Sequence, residues 1–140
     1  MIRDIVSKFP ISKLLRYEKI VEGLINETFK ITASSGCYIL QKLNRRYSTL
    51  GTEDIEAVLD YLKTVGLPFQ TLVRTIIGEI CYCNVSEIWR MFTYVPGVTY
   101  ARVENSADAY QAGLILGKFH RAECGLSGCE LKRRNQYRQF

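Results

Sequence analysis

A short glycine turn near the start of the chain, and the polar side chains that could gather around it, are the first candidates for chemistry. In Glu22-Gly23-Leu24-Ile25-Asn26-Glu27-Thr28 a single glycine separates two strand-like runs. Backbone amides in such a turn can close over a phosphate group, because successive N–H donors point into one concavity. The same residues also fit an ordinary hairpin. Gln41 and Lys42 end a later run, Gly36 to Leu43, where an amide or an ammonium could reach a phosphate. Alternation along a strand lets only one of the two face a given cleft, and the sequence leaves both open. Lys42 equally reads as a solvent-facing strand lysine. Glu53 or Glu56, on the segment that follows, could hold the chosen group in place. Thr93-Tyr94-Val95 run into Pro96-Gly97, and their backbone groups could hydrogen-bond the edge of a base. Trp89, Met91 and Phe92 in the same stretch read equally well as core.

Other chemistry is poorly supplied. His120 is the only histidine and sits in an apolar helical run, where a packed histidine is the simpler reading. No Ser/His/Asp or Cys/His arrangement stands out by spacing. Of five cysteines, Cys81 and Cys83 lie two apart and Cys124 and Cys129 five apart. Neither pair has the two-residue gap usual in four-thiolate zinc sites, so free thiols are expected. Asn26-Glu27-Thr28 matches a glycosylation acceptor, a match that carries weight only behind a secretory signal. No catalytic residue and no metal ligand is assigned within the chain.

These candidates need elements to position them. Ile2, Ile5, Val6 and Phe9 repeat at helical spacing, which predicts a short amphipathic helix ended by Pro10. Residues 17–22, 27–32 and 37–43 predict three strands, with Phe29 and Ile31 on one face and Thr28, Lys30 and Thr32 on the other. Ile39, Gln41 and Leu43 fall opposite Tyr38, Leu40 and Lys42. Ser34-Ser35-Gly36 predicts a tight turn. Ile55, Val58, Leu59 and Leu62 mark a helix, with Thr52 as N-cap and Gly66 and Pro68 closing it. Residues 70–76 and 78–84 read as a hairpin, and 87–95 as a further strand. Residues 106–123 predict a helix apolar nearly all round, which calls for burial on several sides, while the mostly polar residues 127–140 leave little to cover it. Gly113 and Gly117, one turn apart, would let another backbone approach it.

Composition sets outer bounds. A chain of 140 residues, 47% hydrophobic and 24% charged, suits one soluble globular domain. No run of 18 apolar residues predicts a membrane span. The N-terminus does not read as a secretory signal, so a cytoplasmic location is expected. The net charge of +5 is partly gathered in Lys132-Arg133-Arg134-Asn135-Gln136-Tyr137-Arg138. That tail could bind nucleic acid, but the rest of the chain shows no basic stripe, and a solvated face is the preferred reading.

The order of elements resembles the N-terminal lobe of the aminoglycoside phosphotransferase and choline kinase family. It is most similar to the sugar-kinase branch that phosphorylates N-acetylhexosamines at the anomeric position. Gly23-Leu24-Ile25-Asn26-Glu27-Thr28-Phe29, Tyr38-Ile39-Leu40-Gln41-Lys42-Leu43-Asn44, Trp89-Arg90-Met91-Phe92, Val95-Pro96-Gly97, Ala112-Gly113 and Gly117-Lys118-Phe119-His120 carry the likeness. It runs from about residue 15 to 123. The resemblance implies ATP with magnesium and phosphoryl transfer to a small hydroxylated substrate. By position it implies that Gly23 to Asn26 form the phosphate loop, that Thr28 and Ile39 line the nucleotide site, and that Thr93 to Val95 form the hinge. Gln41 falls where many relatives have a basic residue, with Lys42 one place later and Glu53 or Glu56 as the helix partner. The family's catalytic Asp, the following Asn and the second metal-binding Asp would lie in a C-terminal lobe that these residues do not supply.

The expected fold is therefore α+β: a protein-kinase-like antiparallel sheet of about five strands plus one helix over residues 1–95, then a hinge and the first helix of a truncated C-terminal lobe over 96–140. The expected function is the ATP-binding part of a phosphotransferase acting on a sugar or amino sugar, inactive alone because the catalytic carboxylates are absent. The alternative is a non-catalytic module that docks a C-terminal lobe chain, or a second copy, through helix 106–123.

Overall fold

The protein is described by a computed structural model covering residues 1–21, 25–43, 50–67, 69–98 and 102–123. Helix α1 spans Ile2–Val6, strands β1, β2 and β3 span Leu14–Ile20, Glu27–Ala33 and Gly36–Lys42, and helix α2 spans Leu50–Thr64. Short strands β4 (Leu72–Val73) and β5 (Tyr82–Cys83) precede β6 (Ile88–Thr93), and helix α3 spans Ser106–Glu123. One antiparallel sheet of six strands has the order β1-β2-β3-β6-β4, with β5 also on β6. The architecture is the expected α+β, kinase-like lobe, with one more strand than the sequence suggests. Among the described residues no helix is long and apolar enough to cross a membrane.

Pairing register decides which side chains meet. Phe29 pairs with Leu40 and Leu40 with Met91, so these three share a face with Ile31 and Trp89. Ile2, Ile5, Val6 and Phe9 of the N-terminal segment cover that face and complete the core. The Phe29 and Trp89 rings lie 6.1 Å apart within it. Burying an aliphatic side chain as fully as Ile31, Leu40 or Met91 contributes roughly 1.5–3 kcal/mol each. The β2–β3 turn is Ser34-Ser35, with Gly36 at φ +136, a conformation side chains disfavour.

The other face of the sheet carries Thr28, Gln41 and Arg90 in one row, since Thr28 pairs with Gln41 and Gln41 with Arg90. Lys30, Ile39 and Phe92 form the next row. Helix α2 meets this face at its β6 side, where Arg90 reaches Thr52. Leu67 donates its N–H to the Leu62 carbonyl around Gly66, whose φ of +76 ends the helix in a Schellman motif. Thr52, expected as the N-cap, lies inside the helix and is buried.

A further expectation is corrected. Residues 70–76 and 78–84 do not pair with each other as a hairpin. Leu72 and Val73 pair with Phe92 and Met91, while Tyr82 and Cys83 pair with Trp89 and Ile88. Strands β4 and β5 are thus two pieces of one edge strand, interrupted by an excursion over 74–81. That excursion is turned by Gly78 at φ +85 and pinned to the turn after α1 by the Ile76 N–H on the Lys8 carbonyl. An Asx turn at Asn84, whose side chain accepts from the Ser86 and Glu87 N–H groups, reverses β5 into β6 instead. Helix α3, for whose apolar faces the sequence left little chain to supply cover, is exposed among the described residues. Tyr110 is 68% exposed and Leu116 56%, and among the described residues a side chain added at Gly113 or Gly117 would meet no other element within 4 Å. An aromatic contact to the lobe sets Phe119 against Phe69 at 6.0 Å. Strand β1, predicted over 17–22, spans Leu14–Ile20 and is an edge strand exposed along most of its length. Cys124, Cys129 and the basic tail lie outside the described residues.

Lys42 projects to the α1 side of the sheet. Its Nζ sits 2.6 Å from Glu87 Oε1 and 3.8 Å from Glu27 Oε1. The Trp89 indole N–H donates to Glu87 Oε2 at 3.0 Å. Hydrogen bonds from Lys42 and then Trp89 hold the Glu87 carboxyl below its usual range.

Replacing Ile31 with Ala should lower stability by about 2–5 kcal/mol in denaturant unfolding, whereas Leu116→Ala should change it by less than about 0.5 kcal/mol. The Glu87 contribution should be fully present at neutral pH and fade in acid, because a depressed carboxyl stabilises the fold only while ionised. Glu87→Gln should therefore flatten the loss of stability measured below about pH 4.5.

Candidate functional site

A row of polar side chains crosses the α2-facing side of the sheet, beside the turn that joins β1 to β2. Thr28 follows that turn immediately, and its hydroxyl donates to the Asn26 carbonyl at 3.4 Å. Gln41 on β3 donates its amide to Thr28 Oγ1 at 3.5 Å. Its carbonyl accepts from Arg90 Nε on β6 at 3.0 Å. Arg90 Nη1 then donates to Thr52 Oγ1 on α2 at 3.3 Å. Four elements are stitched together by one chain of hydrogen bonds, which fixes the guanidinium in place.

Arg90 is half-buried, and its guanidinium lies 5.1 Å over the Phe92 ring. Burial lowers its pKa from the free value, with the nearby Cys81 thiol acting the other way. No carboxylate among the described residues forms an ion pair with it. Burial also raises the Cys81 thiol, while its hydrogen bond with Thr52 lowers it. Glu53 and Arg90 act on the same thiol with opposite signs, so all four groups share one environment.

The alternatives left open by the sequence resolve by geometry. Gln41, not Lys42, faces α2, because Gln41 reaches Arg90 while Lys42 is held by Glu87 and Glu27 on the opposite side. Of the two helix acids, Glu56 is bound to Arg74 at 2.7 Å, and Arg74 is itself tied to the Gly78 carbonyl at 2.8 Å. Glu53 is half-buried with one carboxylate oxygen out of contact with solvent. Both acids line an open, acidic cleft of about 450 Å³ between α2 and the 74–80 excursion.

Below the polar row, Ile39 and Phe92 form an apolar patch, and Leu72 pairs with Phe92 at its edge. Lys30 on the same face stacks over the Tyr94 ring at 4.4 Å. The expected hinge is partly tied into the sheet. The Thr93 N–H donates to the Thr71 carbonyl at 2.9 Å and the Tyr94 N–H to the Cys37 carbonyl at 3.1 Å. From Val95 the chain leaves the sheet in an exposed, irregular stretch. Of the expected phosphate loop, Ile25 and Asn26 are described, and Ile25 is exposed. Gly23 and Leu24 lie outside the described residues. Among the described residues no group of three or more His, Cys, Asp or Glu gathers in a way that could hold a metal ion.

Sequence reading missed Arg90 and Thr52 as parts of this row. Thr52 resembled a helix cap, and Arg90 sat in an aromatic run that read as core. The available signal was parity: Arg90 differs in side from Trp89 and Met91, and so must lie opposite the core they fill.

Comparison with known proteins agrees with this architecture. The chain is 26% identical over 125 residues to a homoserine kinase of Methylorubrum populi, covering 86% of this chain and 37% of that protein. A homoserine kinase of Azorhizobium caulinodans is 24% identical over 140 residues, covering 94% of this chain and 40% of that protein. One from Chelativorans sp. is 26% identical over 118 residues, covering 81% and 35%. The chain thus spans well under half the length of these relatives. The phosphotransferase enzyme family (APH) matches residues 16–140, and the chain belongs to that family.

Proposed function

We propose that this chain is the nucleotide-binding lobe of a small-molecule kinase that uses ATP with magnesium. The observation that carries the reading is the row Thr28–Gln41–Arg90–Thr52, a fixed polar line ending in a half-buried cation, beside the turn after β1. A triphosphate suits such a row, because a cation and neutral donors held on rigid strands need little reorganisation to meet it. The Ile39–Phe92 patch suits the flat apolar face of a base, and the exposed chain from Val95 suits its polar edge. Adenine would then lie between β3 and the 95–98 segment, with its phosphates toward Ile25, Asn26 and Thr28. Glu53, half-buried and sharing its surroundings with Cys81 and Arg90, is the helix acid assigned to steady the phosphate-binding groups.

Magnesium fits this lobe less well. No cluster of described acidic side chains supplies its ligands, and its binding is assigned to polypeptide beyond the matched part. Phosphoryl transfer is mostly positioning and charge stabilisation, so a lobe without a base and metal ligands holds nucleotide without turning it over. The acceptor is a small molecule with a hydroxyl group. The homoserine kinases support an amino-alcohol acceptor, and the N-acetylhexosamine kinase resemblance an amino sugar; both present the hydroxyl such a reaction needs.

A second reading concerns α3. Its exposed Tyr110, Leu114, Ile115 and Leu116 make an apolar surface that a solvated helix would not favour. We assign its cover to the remainder of a longer protein, in keeping with relatives more than twice as long as the matched segment.

ATP at ten times its dissociation constant should stabilise the 140-residue chain by about 1.4 kcal/mol, read as a rise in Tm. No stabilisation would sink the nucleotide reading. Lys42→Met should leave the ATP dissociation constant within about twofold, because Lys42 serves the opposite face; a large loss would return the phosphate contact to Lys42. The isolated chain should give no sugar or homoserine phosphorylation above background. Sedimentation should show a monomer whose tendency to associate falls with Leu116→Glu, while a stable dimer lost in that variant would make a second copy the cover.

A further inference from the structure

We propose that Arg90 is the phosphate-binding cation of this lobe, doing from β6 what a basic residue at position 41 on β3 would otherwise do. The inference rests on the nucleotide reading above and adds to it the group that grips the phosphates.

Position 41 is a neutral Gln, and Lys42 is turned to the other face and held by Glu87 and Glu27. The α2-facing side of the sheet must draw its positive charge from elsewhere. Arg90 pairs with Gln41 in register, so its side chain rises beside that position. Gln41 Oε1 holds Nε and Thr52 Oγ1 holds Nη1. A guanidinium carries five N–H donors, and these two bonds leave the Nη2 edge and the second Nη1 hydrogen for an anion. Both protein partners are neutral oxygens, so the positive charge is oriented without being cancelled. A half-buried cation that finds no carboxylate partner among the described residues is costly to maintain, and a bound phosphate would relieve that cost. Lys30, the other strand cation on this face among the described residues, is one row away and stacked on Tyr94. Among the described residues the neighbours of Arg90 are Gln41, Thr52, Phe92 and the Cys81 thiol, and Glu53 acts electrostatically on the same thiol. None of them competes as a second cation.

The test compares ATP, adenosine and inorganic tripolyphosphate on the 140-residue chain by calorimetry. The unaltered chain should bind ATP well above adenosine. Arg90→Met should weaken ATP about ten- to hundredfold and leave adenosine unchanged, with Arg90→Lys between the two. A neutral variant that keeps the ATP-to-adenosine ratio overturns the role of Arg90 while leaving the nucleotide reading intact. Failure of both ATP and adenosine to bind the unaltered chain overturns both. Because Arg90→Met removes bonds to two other elements, a measurement on the unaltered chain stands beside it. The ¹⁵Nε resonance of Arg90 should shift on adding ATP or tripolyphosphate and stay fixed with adenosine. A resonance that ignores all three sinks the proposal, whatever the variant does.

Discussion

The alternation of side chains along β3 is the constraint on which the candidate site depends. Gln41 and Lys42 are neighbours in the chain, yet they lie on opposite sides of a sheet only one residue thick. Once Leu40 is fixed in the core against Phe29 and Met91, Gln41 must face α2 and Lys42 must face α1. A slip of one residue would turn Leu40 out of the core and swing the Gln41 amide into it, a change too costly for the fold to allow. Register, set by apolar packing on one face, thereby selects the polar groups presented on the other.

Each face then uses its charges differently. On the α1 side, Lys42, Glu87, Glu27 and the Trp89 indole satisfy one another, so the cluster is closed and serves stability. On the α2 side, Arg90 is bonded only to neutral oxygens among its hydrogen-bond partners. The first arrangement cancels charge. The second directs it. That contrast, and not the number of basic residues, separates a structural lysine from a candidate ligand-binding arginine.

The lobe also differs from its outline in the sequence where long-range contacts decide local form. The segment over 70–84 has the turn and the apolar residues of a hairpin. Its two halves instead each find β6, because an existing strand in the sheet offers paired backbone groups on a formed surface and the Asn84 turn delivers β5 to it. Helix α3 shows the reverse case. Its pattern calls for burial, yet only Phe119 and Ala122 are half-buried among its described side chains, since the elements of this lobe close their own core without it.

By itself the sequence determined the elements and the facing of their residues. The helix over 106–123, the β2–β3 turn at Ser34-Ser35 and the inward set Phe29, Ile31 and Leu40 follow from periodicity, which depends only on bond geometry. It also carried the family resemblance, through the order of its motifs. The tertiary structure alone decided which acid is taken, since Glu56 meets Arg74 only when the 74–80 excursion folds against α2. It alone made Thr52 and Arg90 neighbours across 38 residues of chain. No local pattern encodes that meeting, because it arises from two elements docking on one sheet, each placed there by burial elsewhere.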